Sequence, residues 1–276
     1  MKKLLLLTVA ALGTLVCAAQ NGKNAKNGAL PGKFSVSAIA QVQFSQGNLQ
    51  YLASKNVWRF AENQFDVIGE ANIKISKSYE GWVDLFGWGT GNTPTNVSGN
   101  GSDYGNFADW GINAISNGGK KANLWRTLTT DEWVFLFRGR SNAVSLWGMG
   151  KVNGVEGIII LPDDWKAPAS VTFASCNQKG MKDEEWVFEG GNEDHFSDNV
   201  YTVEQWQTLE KNGAVFLPVA GRRVGGPKVI LQGNGQYWSA TPDGDSMAYI
   251  IDFNSSNFIP QNSYERNIGY SVRLVR

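Results

Sequence analysis

The chain has 276 residues, with 25 basic and 25 acidic side chains and a formal net charge of zero at neutral pH. This balance excludes recognition of nucleic acid or of an anionic membrane by overall charge alone. Two cysteines are too few for a disulfide framework, whereas 32 glycines and 11 tryptophans predict long ordered loops packed by large side chains.

The first residues have the pattern of an export signal. Two lysines precede an apolar run from Leu4 to Val16, and small residues follow at Cys17 and Ala19. We therefore predict a secretory signal peptide at 1–19, which places the mature protein in the periplasm, on the outer surface or outside the cell. A lipoprotein acylated at Cys17 is the alternative, disfavoured by the bulky Val16. No apolar stretch approaches the roughly 20 residues that spanning a bilayer needs, so we expect no transmembrane segment.

The predicted fold begins after a polar leader. Residues 20–33 are rich in Gly and Asn, and we predict that they form a flexible leader. From Phe34 to Phe44, apolar residues alternate with others, which predicts a first long strand. Residues 34–276 are then expected to form a single domain. The region 87–123 has no sustained periodicity, which predicts a long ordered loop with a functional role.

Two short amphipathic helices have clear start signals. Thr129 precedes Glu132 by three residues, and Thr202 precedes Gln205 by the same spacing. Each pair is a capping box, in which two side chains satisfy free backbone amides at the start of a helix. A glycine follows each helix as a stop signal. Because both helices carry their apolar residues on one face, we expect them to pack against a sheet.

Short strands are predicted after the second helix, separated by clusters of Gly, Pro, Asn and Asp. They cover 214–219, 236–241, 247–253 and 270–275. In the last of them apolar and polar residues alternate with the period of a strand that buries one face. Since a free chain end frays, a strand at this position predicts that the N- and C-terminal segments pair and close the sheet.

Four segments, taken in order, resemble a known family. They are LWRTLTTDEWVFLFRGR at 124–140, GAVFLPVAGRR at 213–223, GQYWSAT at 235–241 and GYSVRLVR at 269–276. Together they resemble the Fibrobacter succinogenes major paralogous domain family, secreted bacterial proteins of the C-type-lectin-like superfold. A more distant similarity extends to the formylglycine-generating, sulfatase-modifying enzymes. The resemblance implies an α+β, C-type-lectin-like domain with a mixed and antiparallel sheet, two short helices and long irregular loops.

Catalysis is not expected from these residues. The related enzymes hold copper with paired cysteines or iron with three histidines, and beyond the signal peptide this chain offers only Cys176 and His195. We interpret His195 as an exposed loop residue, since its neighbours are polar and neither a G-x-S-x-G motif nor a phosphate-binding loop is present. We therefore predict no catalytic residue and no cofactor, with an enzyme as the least favoured class. Acidic loops at 161–165 and 190–199 leave a structural calcium ion as the one metal alternative.

A non-catalytic binding module is the favoured function, with an unidentified protein or glycan as its ligand. The segment between the last two predicted strands is rich in Asn, Ser, Gln and Tyr, a composition typical of recognition loops. It also resembles the variable segment of diversity-generating retroelement proteins. The ligand-binding residues predicted there are Asn254, Ser255, Asn257, Gln261, Asn262, Tyr264 and Asn267. The alternative interpretation is that these Asn and Ser residues only form turns.

Aromatic residues between 82 and 110 indicate a second ligand surface. Aromatic faces stack on sugar rings, so Trp88 and Trp110 are candidates for glycan binding. The competing interpretation is that such side chains anchor their loops to the core. A structural or adhesive component of a cell-surface assembly is the alternative to a binding module.

Overall fold

The computed structural model describes residues 25–182, 187–188, 193–225 and 228–276, so the signal peptide predicted at 1–19 lies outside the described residues. This part of the chain is a mixed α+β fold of small sheets and few short helices. Its strands are β1 Phe34–Ser35, β2 Gln41–Val42, β3 Leu49–Leu52, β4 Val57–Phe60, β5 Trp82–Val83, β6 Trp147–Val152, β7 Val155–Ile160, β8 Met181–Lys182, β9 Val187–Phe188, β10 Val200–Tyr201, β11 Val215–Pro218, β12 Arg222–Val224, β13 Lys228–Ile230, β14 Gly235–Asp243, β15 Met247–Phe253 and β16 Phe258–Glu265. Its α-helices are α1 Thr130–Val134 and α2 Val203–Lys211, accompanied by short 3-10 turns at Ala53–Lys55, Gly69–Lys74, Gly101–Tyr104, Trp110–Ile112, Ala143–Ser145, Asn177–Lys179 and His195–Ser197.

Both helices begin at the predicted capping boxes. The Thr129 hydroxyl accepts from Glu132 N at 3.2 Å, and the Glu132 carboxylate accepts from Thr129 N at 2.9 Å. The same reciprocal pair joins Thr202 and Gln205. α1 continues into a π-helical turn at Phe135–Gly139, which ends at the predicted glycine. Within the described residues, no helix combines the length and the apolar character that crossing a bilayer requires.

The largest sheet has the strand order β10-β6-β7-β11 and lies between the two helices. β6 and β7 form a hairpin whose turn residues, Asn153 and Gly154, have positive φ angles of 52° and 79°. This is the turn geometry that an Asn-Gly pair favours in a tight hairpin. Ile158 of β7 packs in the apolar cluster that contains α1, whereas the next residue, Ile159, packs in the cluster that contains α2. The expected packing of both helices against a sheet is confirmed.

The C-terminal segment pairs with an N-terminal segment, as predicted, but it joins none of the sheets in the described part of the chain. Gln43 N donates to Arg276 O at 2.9 Å, Arg276 N donates to Gln43 O at 3.0 Å, and Ser45 N donates to Leu274 O at 2.9 Å. These two segments thus lie side by side. The residues from Tyr270 to Val275 are all buried, and Tyr270, Ser271 and Val275 form isolated bridges. The prediction of a continuous strand with one buried face is therefore wrong, because core contacts surround this segment on both sides.

Two predictions about the N-terminal part are also wrong. The first long strand is instead a hairpin of β1 and β2, with Phe34 opposite Val42. The same period-two pattern is expected for one long strand and for two strands that form a hairpin, so it does not reveal the turn between β1 and β2. Residues 25–33 are not a flexible leader. Leu30 is 1% exposed and its N–H donates to Phe44 O at 2.9 Å, because the core includes this apolar side chain.

Asp84 is a fully buried carboxylate next to β5. It accepts from Asn72 Nδ2 at 2.8 Å and from Ile68 N at 3.0 Å, while Asn72 Oδ1 accepts from Asp84 N at 2.8 Å. Burial raises the pKa of Asp84 to about 6, and these hydrogen bonds offset only part of that increase. The carboxylate therefore ties the turn at 68–74 to the sheet in a way that depends on pH.

This raised pKa predicts a measurable pH dependence of stability. A carboxyl whose pKa is raised by folding stabilises the fold fully below its unfolded pKa, and the contribution is lost as pH rises through the folded value of about 6. Between about pH 4 and about pH 7, we expect the free energy of unfolding of the wild type to fall by about 2 kcal/mol relative to Asp84→Asn. Urea unfolding at each pH measures the difference, and carboxyls common to both proteins cancel. Parallel pH curves for the two proteins would contradict this prediction.

Candidate binding cleft

A surface cleft of about 490 Å³ lies between the end of β3 and an exposed loop. Its lining residues are Tyr51, Ala53, Lys77, Asn92, Thr93, Pro94, Thr95 and Asn96. We call it the Asn92 cleft. Its volume falls within the range of about 300–1,000 Å³ that is common for small-molecule sites.

The rim of the Asn92 cleft is an ordered loop. Thr93 N donates to Thr90 O at 3.0 Å, and Asn96 N donates to Thr93 O at 2.9 Å. Asn96 Oδ1 then accepts from Ser98 N at 3.1 Å. Asn92 and Thr93 are exposed at the rim. Because backbone hydrogen bonds hold the loop, the Asn92 and Thr93 side chains are available to a ligand.

The floor of the cleft comes from the end of β3. Tyr51 is 6% exposed, and the centroid of its ring lies 4.5 Å from that of Trp58. Its hydroxyl donates to Asn56 Oδ1 at 3.0 Å, and burial raises its pKa, which keeps the phenol neutral near physiological pH. Lys77 supplies the charged group of the lining. The eight lining residues include no carboxylate, imidazole or thiol, so they offer hydrogen bonds and apolar contact without a general acid–base pair.

Trp88 and Trp110 lie beneath this loop, and the prediction that they bind a glycan is wrong. They are 2% and 0% exposed. Trp88 Nε1 donates to Ser239 O at 3.0 Å, and the Arg266 guanidinium lies 4.3 Å from the centroid of the Trp88 ring. The ring of Phe107 contacts both tryptophans. Because their faces are covered, these residues anchor the loop that carries the Asn92 cleft and leave no surface for a sugar ring.

Most of the predicted recognition loop is a strand. Gln261, Asn262 and Tyr264 lie on β16, which pairs antiparallel with β15. Asn262 Nδ2 donates to the Asp252 carboxylate at 3.0 Å, and Tyr264 packs against the apolar cluster around β3. Gln261 is exposed. The prediction of an irregular loop is therefore wrong for these residues. Their polar composition is typical of a loop, although the segment forms a paired strand.

Three other predicted residues form the tight turn between β15 and β16. Asn254 Oδ1 accepts from Ser256 N at 3.0 Å and from Asn257 N at 3.1 Å. The Ser255 carbonyl accepts from His195 N at 2.9 Å. An Asn side chain that closes its own turn is occupied. The turn-forming interpretation therefore accounts for Asn254, Ser255 and Asn257.

Asn267 is the predicted residue that connects to the loop of the cleft. It follows β16, and its Nδ2 donates to Gly99 O at 2.9 Å. Gly99 belongs to the same loop as the rim residues 92–96. Asn267 thus supports the loop from behind without lining the Asn92 cleft.

His195 and Cys176 are both core residues. His195 is 3% exposed, with Nδ1 2.8 Å from Asp198 Oδ2, so the exposed position predicted for it is wrong. Polar neighbours in the sequence do not show that the histidine folds inward onto Asp198. Burial raises the pKa of the Cys176 thiol well above its ordinary value, which keeps the thiol protonated.

The acidic loops considered for calcium bind cationic side chains. Asp163 accepts from Arg140 Nη1 at 3.0 Å, and Asp194 accepts from Lys151 Nζ at 3.3 Å. Residues 190–192 of the second loop lie outside the described residues. In the described ranges, no group of three or more His, Cys, Asp or Glu side chains comes together in a way that could hold a metal ion.

The sequence contained a signal for only the rim of the Asn92 cleft. Its rim, residues 92–96, lies within the aperiodic region 87–123, for which an ordered functional loop is predicted. Tyr51 and Lys77 carry no such signal, because only tertiary packing brings them to the rim. No protein-family model, no curated protein and no solved structure matches this chain. The family resemblance therefore stays a prediction.

Proposed function

We propose that this protein is a non-catalytic binding module that holds a neutral polar ligand, such as an oligosaccharide, in the Asn92 cleft. The observation that carries the proposal is the exposed pair Asn92 and Thr93 on an otherwise hydrogen-bonded rim. An amide and a hydroxyl each donate and accept hydrogen bonds, which suits the hydroxyl groups of a sugar. Tyr51 and Pro94 add apolar surface to the same cleft. A concave surface with a few convergent polar groups is the usual form of a small-ligand site.

The chemistry of the lining supports binding over turnover. Nucleophilic and acid–base catalysis need a base beside the group that it activates. The titratable groups of the lining are Tyr51 and Lys77, and the raised pKa of Tyr51 makes its hydroxyl a poor acid at neutral pH. The lining therefore provides recognition, with Lys77 as a charged hydrogen-bond donor at its edge.

We also propose that the scaffold is C-type-lectin-like and that the protein is exported. The paired segments around Gln43 and Leu274, the two capped helices and the long loops support the assignment of the scaffold. The lysines and apolar run of residues 1–19 support export. In this arrangement the small sheets form a rigid base, and the loop at 87–123 presents the cleft.

Removal of the two exposed rim groups is expected to weaken glycan binding. In the Asn92→Ala/Thr93→Ala double variant, loss of the amide and the hydroxyl should reduce affinity by about tenfold, the effect of one or two hydrogen bonds. Neither side chain supports the loop, since the Thr93 contacts described above involve its backbone. A glycan array identifies the ligand, and titration calorimetry then compares the variant with the wild type.

Ser141→Ala is the matched control, because Ser141 is exposed and does not line the Asn92 cleft. It should bind as the wild type does. Two results would contradict the proposal. One is a wild-type protein that binds no glycan on the array, and the other is a double variant that binds with unchanged affinity.

A further inference from the structure

Arg223 of β12 is a fully buried cation that forms no ion pair among the described residues, and the acceptor beside it is the neutral hydroxyl of Tyr104. It is 0% exposed, and its Nε, Nη1 and Nη2 atoms make no hydrogen bond of good geometry within the part of the chain that the structure describes. A guanidinium carries N–H donors on all three nitrogens and no acceptor. Burial of an unpaired charge is strongly unfavourable, so this group points to a negatively charged ligand.

The other buried arginines show how unusual this is. Arg140 donates to Asp163 and to backbone carbonyls, and Arg266 donates to two backbone carbonyls. Arg273 donates to two side-chain carbonyl oxygens. Among the buried arginines in the described part of the chain, Arg223 is the one whose guanidinium has no such partner.

The immediate surroundings of Arg223 are backbone and an aromatic hydroxyl. Arg223 N donates to Gly269 O at 2.9 Å, and Gly269 N donates to Arg223 O at 2.8 Å, which fixes the main chain under the guanidinium. The Tyr104 hydroxyl donates to Ser98 O at 3.0 Å, and its oxygen lies beside the guanidinium as a neutral acceptor, so the positive charge has no counter-ion there. Burial lowers the pKa of Arg223, and the neighbouring Tyr104 offsets only part of that decrease.

The space beside the guanidinium limits the size of the ligand. A methyl group added at Gly269 would lie 3.1 Å from Arg223 Nε and 3.0 Å from Leu85 O. On this side there is no room for a carboxylate or a phosphate. Tyr104 belongs to the short turn Gly101–Tyr104, whose residues Ser102 and Asp103 are exposed. Entry of an ion to the interior would require a local opening of that turn.

We propose that Arg223 is an anion site that takes up a small monatomic anion of the chloride class from solution. The anion accepts the N–H groups that the protein leaves without partners and neutralises the buried charge. It thereby stabilises the contact between β12, Gly269 and the turn that carries Tyr104. This site is separate from the Asn92 cleft, and its test does not depend on the ligand of that cleft.

Thermal unfolding in sodium chloride and in sodium gluconate, at constant ionic strength, tests the proposal. Because the anion binds the folded state, the Tm of the wild type should rise by about 3–6 °C for each tenfold increase in chloride above the dissociation constant. Arg223→Met removes the charge at similar volume and should abolish this dependence. Arg59→Met is the control, since Arg59 lies at the surface over the ring of Trp82, and it should keep the dependence.

A wild-type Tm that is the same in chloride and in gluconate overturns the proposal. So does an Arg223→Met variant that keeps the chloride dependence of the wild type. If that variant does not fold, crystals of the wild type soaked in bromide decide the question. An anomalous peak within hydrogen-bond distance of the Arg223 guanidinium supports the site, whereas bromide peaks found only elsewhere overturn it.

Discussion

Replacement of Gly111 by alanine is expected to lower the free energy of unfolding by at least about 4 kcal/mol. A Cβ atom at this position would lie 1.7 Å from the Trp125 carbonyl oxygen and 2.4 Å from its carbonyl carbon. Both are backbone atoms, so no side-chain rotation relieves the overlap. The turn at Trp110–Ile112 and the segment around Trp125 must therefore separate.

Asp109 explains why this separation is so unfavourable. Its carboxylate accepts from Gly111 N at 2.9 Å, from Thr127 N at 2.9 Å and from Thr127 Oγ1 at 3.1 Å, and so joins the two segments. The Trp125 side chain is buried between them and the core. An added methyl group at Gly111 disrupts these hydrogen bonds and this packing together, which places the variant at the severe end of single substitutions.

Gly99→Ala is the matched control for Gly111→Ala. No heavy atom lies within 4 Å of a Cβ added at Gly99. Its free energy of unfolding should change by less than about 1 kcal/mol. Urea unfolding followed by tryptophan fluorescence compares both variants with the wild type. If Gly111→Ala unfolds at the wild-type midpoint, the close contact with Trp125 is wrong.

Arg140→Ala is the second variant for which we expect a large loss, again about 4 kcal/mol or more. The buried guanidinium donates from Nε to Leu136 O at 2.7 Å, from Nη1 to Leu161 O at 2.9 Å and from Nη2 to Leu146 O at 3.2 Å. These carbonyls belong to the helical turn after α1, to the exit of β7 and to the entry of β6. Alanine leaves all three without this donor inside the protein.

Asp163 extends this network to the surface. It accepts from Arg140 Nη1 at 3.0 Å and from Ser35 Oγ at 2.7 Å, which links the network to β1. Burial alone would raise the pKa of Asp163, but the hydrogen bonds from Ser35, Arg140 and Gln41 outweigh it and lower the pKa. Burial lowers the pKa of Arg140 and its pairing with Asp163 opposes that effect. Loss of Arg140 therefore also leaves the Asp163 carboxylate without its cation.

Arg126→Ala is the control for Arg140→Ala, because it removes a surface ion pair and leaves the buried network intact. Arg126 is 43% exposed and pairs with Glu132 at 2.6 Å. Exposed pairs contribute little, so its replacement should lower the free energy of unfolding by less than about 1 kcal/mol. Urea unfolding of the two arginine variants gives the comparison. Equal losses in Arg126→Ala and Arg140→Ala would show that the buried network has no special role.

Sequence patterns were sufficient where neighbouring residues complete the structure. Thr129 with Glu132, and Thr202 with Gln205, close hydrogen bonds over three residues, so the starts of both helices were predictable. The strands predicted at 247–253 and 214–219 correspond to β15 and β11. In each case a short apolar run between turn residues contained the information.

Contacts with residues far away in the sequence determine the structure of the segment 254–267. Its Asn and Ser residues are typical of a loop, yet it contains Phe258, whose ring centroid lies 4.4 Å from that of Phe137 and 4.7 Å from that of Trp147. Both partners are more than a hundred residues away in the sequence. Because this aromatic side chain is buried, the start of β16 lies in the core. No periodicity within the segment predicts that position.

The candidate site was likewise predictable from the sequence only in part. An ordered loop within 87–123 was predictable, because an aperiodic but aromatic-rich region has to be packed by its own side chains. Which aromatics face inward was not, and Trp88 and Trp110 are covered by Phe107 and other core groups. Tyr51, in the floor of the cleft, is brought next to the rim residues by the pairing of β3 with β5 and by the folding of the intervening chain.

The amino-acid sequence by itself determined the starts of the two helices, several strand positions, the balanced charge and the presence of a long ordered loop. These properties depend on residue composition and on interactions a few positions apart. The tertiary structure alone decided that the Arg223 guanidinium is buried without an ion pair among the described residues, that β16 is a strand and that the Asn92 cleft exists. Each of these depends on groups far apart in the chain, whose meeting is set by the packing of the whole core and not by any local pattern.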